Sequence, residues 1–380
     1  KSWPSNLTLT SKQMPILPGT SSSCMSDPLS AWQGRIDVRC PTVDQLPLPP
    51  PGKTGWPWTE ESPRLAETTP NGKVWPRVSV ITPSYNQGQF IEETIRSVLL
   101  QGYPNLEYMI IDGGSTDESL EIIRKYEPWL ASFVSEPDRG QTHAINKGWM
   151  RATGEILAYI NTDDCYLNGA IATAAHEFCT RPDVGMVYGT ATIVNERNKW
   201  TTWKARPFDL KMMLTVGNIV PQPAVFFSRQ ALTKVGYLSE EWQLIMDYEF
   251  CIRVGAQFPT VCVPRTLAKF RTHPQSKSRL YFEETTQELI RFVARFSPDQ
   301  ILMPDWHMIK PTVMSRIHYE LALGYVAQGH QAASKGFQQF LESLSLDPLF
   351  ALRHPILTAH IMKRVLTGRF KTIGGRITAS

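Results

Sequence analysis

Val78-Ser79-Val80-Ile81-Thr82-Pro83-Ser84-Tyr85-Asn86 changes the texture of this chain. Its first five residues form a β-rich run that Pro83 closes. Downstream, Ile91, Ile95, Val98 and Leu99 fall on one helical stripe, which Gly102 and Pro104 end. Leu106–Ile111 reads as the next strand and stops at Asp112-Gly113-Gly114. Ser115, with Glu118 three residues on, has the spacing of a capping box and predicts the start of a helix carrying Leu120, Ile122, Ile123 and Tyr126. A strand near Phe133-Val134 follows, then a helix around Ala144–Ala152 and the apolar run Ile156–Ile160. A helix over 169–178 and a strand Val184–Tyr188 continue the alternation. Repeated strand–helix units with near-continuous apolar strands predict an α/β fold, a mostly parallel central sheet flanked by helices.

Ligands of such sheets bind beyond the carboxyl ends of the strands. The residues placed there are Pro83-Ser84-Tyr85-Asn86, Asp112-Gly113-Gly114, Asp138-Arg139-Gly140 and Asn161-Thr162-Asp163-Asp164. Carboxylates gathered at one edge repel each other unless a cation sits between them. The first strand is followed by neither a Walker loop nor a dinucleotide fingerprint, which disfavours kinase-type and NAD-type chemistry.

Composition sets the outer bounds. A chain of 380 residues, 42% hydrophobic and 10% aromatic, has the make-up to bury a large core. With 19% charged residues and a net charge of +4, it is neither an acidic disordered chain nor a dedicated nucleic-acid binder, so no nucleic-acid partner is expected. Six scattered cysteines without a C-x-x-C pair signal neither a zinc module nor a disulfide framework, and a reducing, cytoplasmic setting is expected. No run of apolar residues predicts a transmembrane helix, and no basic-then-apolar leader is read at the start. Thirteen of the 29 prolines lie in residues 1–76, together with Trp3, Trp32, Trp56, Trp58 and Trp75. Prolines favour extended backbone, and aromatic density of this kind predicts a segment laid over a folded body.

Five stretches in order, Val78–Asn86, Ile111–Asp117, Asp138-Arg139-Gly140-Gln141, Ala144–Gly148 and Asn161–Asp164, resemble the nucleotide-binding half of the family 2 inverting glycosyltransferases of GT-A fold. Gln222-Pro223-Ala224, Met246-Asp247-Tyr248-Glu249, His273 and Ser276 carry the resemblance over about residues 76–280. It implies a metal-dependent, hexosyltransferase-type enzyme of polysaccharide or glycan biosynthesis. Its donor would be a nucleotide-diphospho-sugar, UDP-linked by expectation, and its acceptor a saccharide or a lipid-linked glycan. A divalent cation, Mn²⁺ or Mg²⁺, neutralises charge on a departing diphosphate and takes oxygen ligands. The resemblance assigns metal to Asp164 and the nucleotide to Asp163; a helix cap is the plain alternative for either. Asp112 would accept from a uracil N–H or a ribose hydroxyl, with Pro83 and Tyr85 beside the base. Asp117 reads as a turn or cap residue. Arg139 is placed to pair with phosphate, or with Asp138 or Glu136 as a surface ion pair. Asp247 matches the base that deprotonates the acceptor. Glu249 points to an ion pair or to the donor side, and Gln222 to the donor sugar or the acceptor entrance. His273 would meet metal or diphosphate from a closing loop.

One stretch departs from the family pattern: Thr142-His143 stands where a small polar residue and then an aspartate are expected. It weakens any transfer of sugar specificity. The domains expected are an extended segment 1–76, a catalytic domain 77–280 and a helical region 281–380, with helices at Phe282–Phe296, Ser315–Ala327, Gln331–Ser345 and Leu349–Leu366. A single partial tetratricopeptide-like match among these favours a helical cap on the catalytic domain. Residues 348–380 hold Arg353, Lys363, Arg364, Arg369, Lys371 and Arg376 and no acid. Such a stretch suits either an interfacial helix on the inner face of the membrane or a docked helix with a solvated face. Two rivals share the acidic edge: a nucleotidyltransferase, which needs a basic Gly-rich loop after the first strand, and a non-catalytic scaffold binding partners through its C-terminal helices.

Overall fold

The structure, a computed structural model, describes residues 40–296, 303–328 and 332–353 and a few positions up to 361. The chain runs β1 (Val78–Ser84), α1 (Gly88–Leu99), β2 (Leu106–Asp112), α2 (Ser119–Tyr126), β3 (Ser132–Ser135), α3 (Gln141–Arg151) and β4 (Ile156–Tyr159). Next come β5 (Cys165–Tyr166), α4 (Ala170–Thr180), β6 (Met186–Asn195), β7 (Trp200–Trp203), α5 (Leu210–Val216), β8 (Val225–Ser228), α6 (Arg229–Val235) and α7 (Met246–Gly255). The remainder is β9 (Thr260–Thr272), α8 (Lys277–Leu280), α9 (Phe282–Arg295), α10 (Trp306–Gln328), α11 (Ala333–Leu346) and α12 (Pro348–Arg353).

The strands form one sheet in the order β3-β2-β1-β4-β8-β6-β9-β5, with β7 on β6. β1 is buried along its length and pairs in parallel with β2, from Val78 opposite Leu106 to Ser84 opposite Asp112. Pro83 lies inside this strand rather than closing it. The reason is positional: β4 pairs only Val78–Ile81, so β1 is already an edge where the proline lacks its N–H.

The sheet is mixed, which corrects the mostly parallel expectation. β3, β2, β1 and β4 run parallel to one another, as do β6 and β9. β8 runs against both β4 and β6, β7 against β6, and β5 against β9. Parallel pairing needs a long crossover, which the helices after β1, β2 and β3 supply in the first half of the sheet and the stretch from β7 to α7 supplies between β6 and β9. After β6 the chain turns back at Asn195–Asn198 into the β6–β7 hairpin.

Helix starts follow from local hydrogen bonding. α2 begins at Ser119, not after Ser115, because Ser115 Oγ is engaged elsewhere: it donates to Asp112 Oδ1 (2.5 Å) and accepts from the Asn86 amide (2.8 Å). Asp117 caps instead, accepting from the Ser119 amide (3.0 Å) and from the Gly88 amide at the head of α1 (2.9 Å). α3 starts at Gln141, three residues earlier than expected, after Gly140 at φ 111°. It lies close on β1 because Gly148 faces Ile81; a Cβ there would sit 2.7 Å from Ile81 Cγ2.

The C-terminal helices pack on the α/β body, where Arg316 of α10 donates to Leu214 O of α5. α9 spans nearly the expected residues, whereas α10 begins at Trp306 and runs through Pro311. Gly324 of α10 meets the Phe282 ring of α9. Tyr319, Ala322, Val326, Phe340 and Phe350 form a second core between α10, α11 and α12. The expected helix Leu349–Leu366 is described as α12 to Arg353; most of it and most of the basic stretch, like Trp3 and Trp32, lie outside the described residues.

Residues 40–76 lie over α1. Trp58 and Trp75 are buried, and the Trp56 indole N–H donates to Tyr166 O (2.8 Å). Each proline brings a carbonyl acceptor without an N–H donor, so such a segment needs donors from elsewhere. Arg96, wholly buried on α1, supplies them. It donates to the carbonyls of Pro57 (3.0 Å), Pro47 (2.8 Å) and Trp58 (2.7 Å) and to the Tyr126 hydroxyl (3.0 Å), and its guanidinium lies over the Trp58 ring. Arg96→Met would leave three buried carbonyls without their donor. Hydrogen bonds to a charged group contribute about 1.5–3 kcal/mol each, so denaturant unfolding should show a loss of at least about 3 kcal/mol. A loss under about 1 kcal/mol would remove this role.

Candidate functional site

The site is built where β4 ends. Thr162 Oγ1 donates to Pro83 O (2.5 Å), and Thr94 Oγ1 of α1 reaches Thr162 O (2.6 Å) and Asp164 O (2.7 Å). These bonds fix the backbone of Asp163 and Asp164 between β1, α1 and β9. The Asp164 carboxylate is buried. Its Oδ1 accepts from the Arg271 amide (2.9 Å), while Oδ2 has no hydrogen-bond partner. Burial first, and then the neighbouring charge of Asp163, hold this carboxyl well above the ordinary range. Asp163 Oδ2 faces His273 Nε2 at 3.1 Å, and His273 packs on the Phe90 ring with Nδ1 buried and unpartnered. Arg271 donates to Asp163 O (3.0 Å) and to Glu93 Oε2 (3.0 Å), and Lys269 pairs with the same glutamate.

A run of side-chain amides crosses the strand ends. Lys277 Nζ donates to Gln141 Oε1 (3.0 Å), Gln141 Nε2 to Asn161 Oδ1 (2.6 Å), and Asn161 Nδ2 to Gln222 Oε1 (2.9 Å). Gln222 Nε2 closes it on Tyr159 O (3.4 Å). Asp247, in the first turn of α7, accepts from Asn218 Nδ2 (3.2 Å). Burial pushes its carboxyl above the ordinary value. The Tyr159 hydroxyl is buried without a partner, and after burial itself, the charges of Asp247, Cys251 and Asp164 raise its pKa. The charges of Asp164 and Asp247, on different elements, thus both act on this phenol.

Of the residues read from sequence, Asp163, Asp164, His273 and Gln222 are tied together at the end of β4, and Asp247 stands apart on α7, hydrogen-bonded to Asn218. Tyr85 is 62% exposed on the loop beyond β1, and the Pro83 carbonyl anchors Thr162. Asp112 is fully buried and holds its own loop: Oδ2 accepts from the amides of Gly114 (3.0 Å) and Ser115 (2.8 Å) and from Ser135 Oγ (2.8 Å). Arg139 forks onto Glu240 (3.0 and 2.9 Å), rather than onto Asp138 or Glu136. Glu249 takes the ion-pair alternative, forking with Arg253 (2.5 and 2.9 Å), which also donates to Val235 O and Tyr237 O. At the departure from the family pattern, Thr142 is buried against Trp242 O (3.3 Å) and Met246 Sδ (3.1 Å), and His143 Nδ1 accepts from the Arg139 amide (3.2 Å). Sequence reasoning missed Tyr159, Asn218 and Arg271. Arg271 alone carried a signal, two residues before His273.

Known proteins resemble this chain over part of its length. Residues 79–235 match the family model described as Glycosyl transferase family 2. An uncharacterized glycosyltransferase of Mycobacterium tuberculosis is 29% identical over 202 residues, covering 52% of this chain and 76% of the relative. A PGL/p-HBAD biosynthesis glycosyltransferase of Mycobacterium bovis is 29% identical over 182 residues, covering 47% and 69%. Among solved structures, S. aureus TarS 1–349 in complex with UDP-GlcNAc aligns at a TM-score of 0.49 with 17% identity, covering 73% of this chain and 92% of that one. The mannosyltransferase PcManGT from Pyrobaculum calidifontis, in complex with GDP-Man and Mn²⁺, aligns at 0.47 with 21% identity, covering 78% and 88%. Residues 79–235 are a family 2 glycosyltransferase domain, and the protein is an enzyme of the glycosyltransferase class. No helix among the described residues is long and apolar enough to cross a membrane.

The raised pKa of Asp247 has a consequence for stability. A carboxyl whose folded pKa lies above its unfolded value costs stability as it ionises, and costs nothing below the unfolded value. Asp247→Asn removes that cost and keeps an oxygen for Asn218. Its melting temperature should exceed that of the wild type near pH 7.5, and the gap should close as pH falls to about 4, the ordinary aspartate pKa. A variant that melts lower across this range would contradict the assignment.

Proposed function

We propose that this enzyme transfers a sugar, with inversion, from a nucleotide-diphospho-sugar to a saccharide or lipid-linked acceptor during polysaccharide or glycan assembly. The donor is UDP-linked, and the reaction is metal-dependent. The observation that supports this best is the buried Asp164 carboxylate beyond the end of β4, its Oδ2 unpartnered, within the stretch that matches the family 2 model. Inversion needs a base on the side of the anomeric carbon opposite the departing diphosphate. Asp247 takes the proton of the acceptor hydroxyl as its oxygen attacks that carbon and the bond to the diphosphate breaks. A carboxylate lifted above its ordinary pKa suits proton transfer near neutrality better than a solvated one.

Asp163 and Asp164 mark the donor end. The unpartnered buried Oδ2 of Asp164, beside Asp163 and His273, fits a hard divalent cation. Among the described residues no three His, Cys, Asp or Glu side chains form a ready cage, which suits a cation whose other ligands are diphosphate oxygens and water. Mn²⁺ or Mg²⁺ held by Asp164 and His273 would offset the charge of the leaving diphosphate. Pro83, Tyr85 and Asp163 border the nucleotide, with Asp112 acting by holding the Gly113–Ser115 loop. Arg139 meets phosphate only by leaving Glu240. Gln222 lines the donor sugar, held by Asn161. Residues 348–380 make any contact with the inner face of the membrane.

A melting-temperature panel of UDP-, GDP- and dTDP-sugars with Mn²⁺ should single out one nucleotide, and a UDP-sugar is expected. No shift with any of them would sink the donor assignment. Asp247→Asn should lower transfer by a factor of about 10³ while keeping that shift; general-base catalysis supplies about 10²–10⁴-fold. EDTA should silence the enzyme and Mn²⁺ or Mg²⁺ restore it; chelator-insensitive transfer would remove the metal.

A further inference from the structure

Asp247 is held from outside the sheet. The amides at a helix start have no partners within the helix, and α7 lacks a local cap, since Ile245 stands at its N-cap position. The amides of Gln243, Leu244 and Ile245, the segment that leads into this start, all donate to one carboxylate, Glu288 of α9, at 3.1, 2.9 and 3.3 Å. Glu288 is 6% exposed, although it belongs to a helix about 40 residues downstream. Phe292, one turn further along α9, packs edge-on against Trp242 and Tyr248, the two aromatic residues that bracket the start of α7.

A second hold comes from α10. Arg316, 4% exposed, donates to Leu214 O (3.3 Å) near the end of α5 and pairs with Glu320 (2.8 Å). The backbone then passes Arg316 at Gly217, whose φ is 113°; a Cβ there would lie 3.3 Å from Arg316 Nη1. The next residue is Asn218, the hydrogen-bond donor to Asp247. Its own Oδ1 is fixed by the Val220 amide (3.1 Å). Tyr248 Oη donates to Met213 O (2.7 Å) and ties α7 back to α5.

We propose that α9 and α10 form a clamp that sets the position of Asp247, with Glu288 and Arg316 as its positioning residues. Glu288 fixes the helix start that carries the carboxylate, and Arg316 fixes the loop that carries its hydrogen-bond donor. The clamp rests on the reading of Asp247 as the base. It gives the C-terminal helices a part in turnover without any contact with substrate.

Glu288→Gln in the full chain leaves one acceptor oxygen where three amides need two. The count of active sites comes from calorimetric titration with UDP and Mn²⁺, so that loss of folded protein is not mistaken for loss of rate. Per binding site, kcat should fall about tenfold or more, since displacing a reacting group by about 1 Å costs up to about 10²-fold. Donor KM should stay within about twofold. Arg316→Lys keeps the charge and loses the guanidinium geometry; it should show the same split, and it decides the matter should Glu288→Gln not fold. Unchanged kcat per site in these variants, with Asp247→Asn inactive, would overturn the clamp alone. Transfer retained in Asp247→Asn would overturn the base assignment and the clamp with it.

Discussion

The structure turns on the burial of one carboxylate. Taking Asp164 out of water beside a second aspartate is costly unless the chain supplies donors and opposite charge. β9 does so with the Arg271 amide to Asp164 and the Arg271 guanidinium to the Asp163 carbonyl. That arginine is itself braced by Glu93 of α1, the helix whose Thr94 binds the backbone of the acidic loop. Four elements thus meet at two residues: β1 through Pro83, α1 through Glu93 and Thr94, β4 through the loop itself, and β9 through Arg271. The second carboxylate oxygen of Asp164 stays buried without a donor.

The charges elsewhere divide by what they are already doing. Glu249 with Arg253 and Arg139 with Glu240 are bidentate pairs, each satisfied within the chain. The Glu249 pair ties α7 to the loop after α6 and so serves Asp247 through the helix they share. Asp112, read from sequence as a nucleotide contact, holds its own loop, in which Gly114 lies at φ 84°.

The parts legible in the sequence were those governed by short-range periodicity. Strands β1 to β4 and their helices show as apolar runs and stripes because both faces of that half-sheet are covered. Asp117 read as a cap because its spacing to Ser119 is local. Legibility failed where partners are far apart in the chain. Of the antiparallel pairings, β6–β7 is a hairpin whose signal is a turn and not a period, and β8 and β5 pair with strands distant in the chain. Ser115 had capping-box spacing, yet a tertiary bond to the Asn86 amide and the Asp112 carboxylate took its hydroxyl. Tyr159 looked like one more apolar strand residue. Glu288 looked like an ordinary acid on an amphipathic helix, and nothing local announces that three amides will reach it.

Arg96 changes what residues 40–76 are. By pattern, a cut at Arg77 separates a proline-rich segment from a self-sufficient enzyme domain. In the fold, such a cut would take away the carbonyls of Pro47, Pro57 and Trp58 and the Trp58 ring, uncovering on α1 a cation left with the Tyr126 hydroxyl. The smallest inheritable unit is therefore larger than the sequence motif region. Evolution can shuffle the acidic edge onto a new partner only by carrying the strap with it, or by replacing Arg96 in the same step.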